Sequence, residues 1–309
     1  MIVGVLGGGQ LGRMLGLAAA NLGVRVRFMD TSAEAPARHV GELIVDDFDR
    51  PRRLSEFVRG LSLVTYEFEN VPAALVERLS RTLKVYPGPE ALRQAQDRLN
   101  EKTLFSRLGI PTARFAPIDG PGDVPAALAH VGLPAVIKTR RLGYDGKGQA
   151  LVRTTGQAAA ATAELGTGRI PLIAEQFVRF DREVSVIGVR SADGSTAFYP
   201  LTENVHAAGI LRTSRAPLPG RGAAALQRLA ERHARRVLAE VEYVGVLVIE
   251  FFERAGSLLA NEMAPRVHNS GHWTIDGAAC SQFENHLRGI LGLPLGPTGA
   301  LGAAGMVNL

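Results

Sequence analysis

The chain has 309 residues, of which 46% are hydrophobic and 21% charged, with a formal net charge of +5. That length supplies two to three domains with sizeable cores, and the mild positive charge suits anionic small substrates while lacking the basic runs with interleaved aromatics of a nucleic-acid binder. A single cysteine, Cys280, excludes an internal disulfide, fits a reducing cytoplasm and reads as a small buried thiol.

In chain order, the first part alternates strand and helix. Ile2–Leu6 is predicted as a strand, Leu11–Leu22 as an amphipathic helix, Val24–Met29 as a strand, Pro51–Val58 as a helix, Leu61–Tyr66 as a strand and Pro72–Arg81 as a helix that starts at proline. This order predicts a parallel sheet with helices on both faces. A helical stretch over 90–108 reads as a connector, and residues 112–178 as a small α/β unit. From Arg182 the strands become antiparallel: Glu183–Arg190, Thr196–Pro200 and Ile210–Ala216. Gly222–Glu240 is one amphipathic helix, followed by strands over Val244–Phe252 and Ser257–Met263. The apolar start, MIVGVL, lacks the basic flank of a targeting segment. Residues 289–309 carry no charge but hold Pro294, Pro297 and six glycines, so they read as a loop into a terminal strand and not as a membrane span. His39, His130, His233 and His286 fit helix or loop surfaces, and Trp273 fits the core.

Three segments carry chemistry. Residues 7–12 (GGGQLG) fit G-x-G-x-x-G between a strand and a helix, with Asp30 about twenty residues on, where a dinucleotide site would bind ribose. An NAD-dependent oxidoreductase is therefore the rival from another class, although a helix N-terminus cradles any phosphate. Next, residues 133–138 (LPAVIK) form a short strand ending in Lys138, and residues 143–149 (GYDGKGQ) a glycine loop whose amides can approach phosphate oxygens. Only four of the 35 basic residues are lysines, and Lys138 and Lys147 bracket this loop. A mobile surface hairpin is the plainer reading; with nucleotide, the loop is expected to order over it. Finally, a hairpin centred on Gly256, with its turn at residues 254–256, sets Glu250 directly opposite Glu262. Facing carboxylates among apolar neighbours repel, and an oxygen-only pair suits Mg²⁺ shared with substrate phosphates. An exposed or salt-bridged edge hairpin is the alternative.

Read together, residues 7–14 (GGGQLGRM), 65–70 (TYEFEN), 96–98 (QDR), 143–149 (GYDGKGQ), 175–176 (EQ), 198–204 (FYPLTEN) and 264–273 (APRVHNSGHW) resemble the ATP-grasp superfamily. Within it, they resemble the 5-(carboxyamino)imidazole ribonucleotide synthases. The segments run in order over nearly the whole chain, and the last is the most specific.

The resemblance implies a mixed α/β and α+β ATP-grasp fold. Its units would be an N-terminal Rossmann-like parallel-sheet domain over 1–95, a helical connector over 96–111, a small lid subdomain over 112–178 and a large subdomain over 179–309, shortened at its C-terminus. It implies an ATP-dependent carbon–nitrogen ligase that carboxylates 5-aminoimidazole ribonucleotide with bicarbonate through carboxyphosphate. A formate-dependent glycinamide ribonucleotide transformylase is the near alternative.

The implied roles follow the motif positions. Arg98, Lys138, Gly143, Tyr144, Asp145, Gly146, Lys147, Gly148 and Gln149 would touch ATP phosphates. Glu175, Gln176, Phe177 and Val178 would line the adenine, and Glu183 with His206 the ribose. Glu250 and Glu262 would hold Mg²⁺ or Mn²⁺, with Asn261 beside them. Gly9, Gln10, Leu11, Glu67, Glu69, Arg266, His268, Asn269 and Ser270 would bind the ribonucleotide. Tyr144, Asp145 and Arg266 would be catalytic, Asp145 as proton acceptor. His268 could instead cap the loop after the hairpin. The family implies a cytoplasmic homodimer. The chain departs from the family pattern at Gly88, where a serine is usual, and the family normally runs on past residues 306–309.

Overall fold

A computed structural model describes residues 1–143 and 147–309. Tyr144, Asp145 and Gly146 lie outside the described residues, and so do the roles expected of them.

The N-terminal sheet is parallel throughout, in the order β3-β2-β1-β4. It comprises β1 (Ile2–Leu6), β2 (Arg25–Asp30), β3 (Glu42–Val45) and β4 (Leu63–Tyr66), linked through α1 (Gln10–Asn21) and α2 (Leu54–Val58). The expected helix over 51–58 shrinks to α2, and α3 (Ala73–Ser80) follows with Pro72 as its cap. Strand β3 was not expected; its ELIV run is too short for periodicity to register.

The helical stretch over 90–108 is two helices, α4 (Pro89–Gln96) and α5 (Arg98–Arg107). Asp97 breaks them. Its backbone is extended and its carboxylate accepts from Leu99 N at 3.0 Å, capping α5. The same carboxylate takes a fork from Arg140, at 2.9 and 2.8 Å, and a further bond from Arg141 at 3.2 Å. A charge so well partnered outweighs helix continuity.

A second, antiparallel sheet runs β5-β8-β6-β7. It holds β5 (Phe115–Ile118), β6 (Ala135–Thr139), β7 (Gln149–Val152) and β8 (Leu172–Gln176), backed by α6 (Val124–Val131) and α7 (Thr155–Glu164). Ile118, Leu128, Val131, Ile137 and Val152 give it a core of its own.

The third sheet runs β14-β13-β9-β11-β12-β15, with β10 also paired to β9. Its strands are β9 (Arg182–Arg190), β10 (Thr196–Phe198), β11 (Thr202–Ala207), β12 (Ile210–Ala216), β13 (Gly245–Arg254), β14 (Ser257–Ala264) and β15 (Ala304–Val307). The helices α8 (Ala223–Glu240), α9 (Thr274–Gly277) and α10 (Gln282–Leu291) complete the chain. Strand β11 was also missed, because its first three residues, Thr202, Glu203 and Asn204, are all polar and give no alternation to register. Residues past α10 form a loop and then β15, as expected, and among the described residues no helix is long and apolar enough to cross a membrane.

The first and third sheets share one core. Val3, Val5, Leu15 and Phe28 pack in the same cluster as Val189, Val246, Val248, Phe283 and Leu287. His286 sits in that seam, fully buried. It accepts from Val246 N at Nδ1 (3.1 Å), which leaves the Nε2 hydrogen to meet Thr65 Oγ1 at 2.8 Å. His233 is buried as well, beside Phe251. Both histidines were expected at the surface; single residues within amphipathic helices do not declare their facing. His39 and His130 are exposed. Trp273 is in the core, its Nε1 donating to Thr202 Oγ1 at 2.9 Å.

Candidate active site

A cleft of about 750 Å³ opens where the second and third sheets face each other, with the ends of α4 and α5 at its base. The hairpin β13–β14 supplies its floor. Ala255 and Gly256 both have positive φ, which makes a two-residue turn of the kind that matches strand twist. That turn pairs Arg254 with Ser257 and, carried on regularly, would set Glu250 against Asn261. Instead a bulge inserts Asn261, so Phe251 pairs with Ala260 and Glu250 with Glu262. The expected carboxylate pair is thus present, but it arises from a shorter turn plus a bulge. The bulge also lets neighbouring residues Asn261 and Glu262 both line the cleft.

The electrostatics of this floor are unusual. Burial, reinforced by the charge of Glu262, pushes the Glu250 carboxyl up to about 8. Asn261 Oδ1 is buried without a hydrogen-bond partner. An all-oxygen set with one orphaned acceptor and two like charges fits a hard divalent cation. Among the described residues no group of three His, Cys, Asp or Glu side chains forms a closed metal cage. The two carboxylates and the amide oxygen match the donors Mg²⁺ takes, one or two carboxylates with the shell completed by water and phosphate.

Around the floor lie the cations. Arg98 Nη2 is 3.9 Å from Glu262 Oε2 and donates to the Gly143 carbonyl at 3.3 Å. Lys138, at the end of β6, meets Glu175 Oε2 at 3.0 Å, and the fully buried Lys102 reaches the same oxygen at 3.5 Å. Against the penalty of burial, Lys102 and then Lys138 hold the Glu175 carboxyl down at about 2. Lys147 and Gln149 line the cleft, while Gly148, with φ +69, is not on its wall. Gln176, Phe177 and Val178 continue the wall beyond β8. Glu183 bonds His206, which lies on β11 opposite a bulge at Arg212 of β12. Phe180 and Phe252, stacked at 4.7 Å, were not foreseen on this wall.

The cleft lining also includes Glu69, Arg266, His268 and Asn269. Arg266 pairs with Glu69 and, despite burial, holds its carboxyl below the usual range. His268 Nδ1 caps the following turn through Ser270, while its Nε2 lies 3.6 Å from Glu250 Oε1. Capping and facing the site are both true of it. Burial, then Arg266, pushes His268 down to about 3, so it is neutral. Ser270 is fully buried, bonded to Ser185.

The glycine loop has a different occupant from the one its motif suggests. Gly9 N and Gly12 N donate to the Glu67 carboxylate at 2.9 and 3.0 Å, and Gly8 N to Asp30 at 2.7 Å. A Cβ at Gly9 would lie 2.8 Å from Glu67 Oε1. The helix N-terminus is therefore filled by the protein's own carboxylates, which leaves no room for a dinucleotide pyrophosphate there. Gly9, Gln10 and Leu11 open α1 and, like Glu67, are not on the cleft wall; Glu69 is.

A model of the ATP-grasp domain matches residues 103–283, and one of the ribonucleotide synthetase preATP-grasp domain matches residues 1–96. Over 308 residues the chain is 53% identical to N5-carboxyaminoimidazole ribonucleotide synthase of Pseudomonas aeruginosa, covering 100% of this chain and 84% of that one. It belongs to the N5-carboxyaminoimidazole ribonucleotide synthase family of ATP-grasp proteins. A further family member, from Brucella melitensis, is 44% identical over 99% of this chain and 85% of its own length. Among solved structures, the synthetase from Thermus thermophilus matches with a TM-score of 0.95 at 57% identity, covering 99% of this chain and 83% of that one. The synthase from Aspergillus clavatus in complex with ADP and 5-aminoimidazole ribonucleotide matches at 0.90 and 30% identity, covering 99% and 81%. The ATP-grasp fold with a preceding parallel-sheet domain is thus as the motifs implied.

Glu101, on the cleft wall, and Lys102, fully buried next to it, escaped the motif reading. Glu101 and Lys102 follow Arg98 at i+3 and i+4, so the three share one face of α5. Charged residues at such positions usually mark a solvated face; here the helix turns them inward. Burial and then Glu262 push the Glu101 carboxyl up to about 8.

Proposed function

We propose that this protein is an ATP-dependent ligase that carboxylates 5-aminoimidazole ribonucleotide with bicarbonate. The products are N5-carboxyaminoimidazole ribonucleotide, ADP and phosphate, as a step of purine biosynthesis. The observation that carries the proposal is one cleft in which the paired Glu250 and Glu262 are approached both by Arg98, 3.9 Å from Glu262, and by His268, 3.6 Å from Glu250. Family membership supports the same reaction.

Arg98, Lys138 and Lys147 neutralise the ATP phosphates at one end, where positioning and charge do most of the catalytic work. Gln176–Val178 line the adenine and Glu183 with His206 the ribose. A bicarbonate oxygen attacks the γ-phosphorus, ADP leaves with the bridging oxygen, and carboxyphosphate forms. The exocyclic amine then takes the carboxyl carbon as the bond to phosphate breaks, phosphate departs and the amine loses a proton. Arg266, Glu69, His268 and Asn269 orient the ribonucleotide beside this centre, and Tyr144 and Asp145 act in the same step, Asp145 as proton acceptor. Glu250, Glu262 and Asn261 Oδ1 would hold Mg²⁺, with Mn²⁺ the alternative. Bound there, the cation supplies charge neutralisation to phosphate oxygens during transfer.

The chain works as a cytoplasmic homodimer on this reading, with functional units over 1–95, 96–111, 112–178 and 179–309. Sedimentation velocity tests the dimer. The reaction is tested by ADP release with bicarbonate, with and without aminoimidazole ribonucleotide. Release that ignores both would refute it.

A further inference from the structure

Arg98, Glu101 and Lys102 occupy one face of α5, and the last two are only 2% and 1% exposed. Buried charges cost heavily unless partnered. Besides the Glu175 carboxylate that Lys102 meets, their partners are the backbone groups on either side of the Asn261 bulge. Met263 N donates to Glu101 Oε1 at 2.6 Å. The Ala260 carbonyl accepts from Lys102 Nζ at 3.4 Å and from Thr112 Oγ1 at 2.8 Å, and Ala260 N donates to the Pro111 carbonyl at 2.7 Å. Strand β14 is the edge of its sheet, so the backbone groups on its outer side must be satisfied elsewhere. Here α5 and the segment after it satisfy them, on the side of β14 away from β13. Residues 260 and 263 are tied down, and the two between them face the cleft.

We infer that Glu101 is a positioning residue for the metal-binding strand. It holds the bulge so that Asn261 Oδ1 and the Glu262 carboxylate are presented together opposite Glu250. The same helix face then couples the phosphate ligand Arg98 to the metal floor. This inference rests on the ATP and divalent-cation reading of the cleft.

Three variants test it. Glu101→Ala removes the acceptor for Met263 N, and Glu101→Gln restores one without the charge. Thr112→Val breaks the hydroxyl bond to the Ala260 carbonyl with nearly unchanged shape, and serves if Glu101→Ala does not fold. Two measurements are made: calorimetric titration of a non-hydrolysable ATP analogue with and without Mg²⁺, and amide hydrogen exchange at Met263 in the ligand-free protein.

Glu101→Ala should weaken Mg²⁺-dependent binding about 10–100-fold, as for other groups that orient metal ligands. Binding without Mg²⁺ should be unchanged, and exchange at Met263 should speed up. Glu101→Gln should recover both, and Thr112→Val should shift both in the same direction by less. Wild-type behaviour of Glu101→Ala, or of Thr112→Val where the former does not fold, would overturn the inference. So would equal losses with and without Mg²⁺. If wild-type protein failed to release ADP with bicarbonate and aminoimidazole ribonucleotide, the proposed reaction would fail, while the binding and exchange results would still decide the role of Glu101.

Discussion

Replacing Glu250 by glutamine should make the metal-free protein more stable and catalytically inert. In the folded chain burial and Glu262 hold the Glu250 carboxyl up at about 8, whereas an unfolded glutamate titrates near 4.5. A carboxyl with a raised folded value contributes full stability below pH 4.5 and loses it as pH climbs through 8. Worked through the linkage relation, the penalty is about 3 kcal/mol at pH 7 and about 1 kcal/mol at pH 5. Cleft water reaches 13% of the side chain, so screening makes these upper bounds. Glutamine has nearly the same shape and no charge, and it removes the penalty. Urea unfolding of metal-free protein at the two pH values measures it: the variant should gain most at pH 7, with the gap closing at pH 5. Turnover should fall by about 10²-fold or more, because a metal clamp on phosphoryl oxygens is worth several kcal/mol. Equal stability at both pH values, or turnover like wild type, would refute the reasoning.

Acid should expose a second linkage. Burial pushes His286 down to about 4, so its contribution is complete above pH 6.5 and is lost as pH falls toward 4, by roughly 3 kcal/mol; in urea unfolding His286→Gln should show a shallower loss over that window. Arg266→Ala should weaken aminoimidazole ribonucleotide binding about 10–100-fold in calorimetry while ATP affinity holds, and Arg266→Lys should not rescue it, since a fork is lost. Gly88→Ser should be tolerated: the position is extended (φ −68°, ψ 165°), caps α4 and has open space where a Cβ would go. It should add a few tenths of a kcal/mol by thermal unfolding. A lower KM for the ribonucleotide would indicate a recovered hydroxyl contact.

What could be read from the residues was what local pattern determines. The β1-α1-β2 alternation, the β13–β14 hairpin and the lysines around residues 138–147 all stand in short stretches whose periodicity or turn chemistry is self-contained. The Glu250–Glu262 pairing was legible too, though its route was not: a two-residue turn and a bulge give the same partners as a longer turn without one. Glu67 shows the limit of a motif, since glycines that permit close approach to a phosphate permit it equally to a carboxylate 58 residues away in sequence. Glu101, Lys102 and His286 were illegible for one reason. Each is a polar residue made tolerable by a partner from another element, and such partners are invisible to a window sliding along the chain.

The apolar seam between the first and third sheets has a consequence for how the molecule comes apart. Residues 1–95 cannot be lifted away as an autonomous fragment, because Leu15 and Phe28 would lose the cover of Phe283 and Leu287. Chain ends far apart in sequence must therefore melt in a single cooperative event, with the hydrogen bonds of His286 at its centre. The unit around β5–β8, with its separate core, is free of that obligation. Hydrogen exchange should accordingly sort the amides into two classes of opening, with those of β6 and β8 distinct from those of β1 and β13.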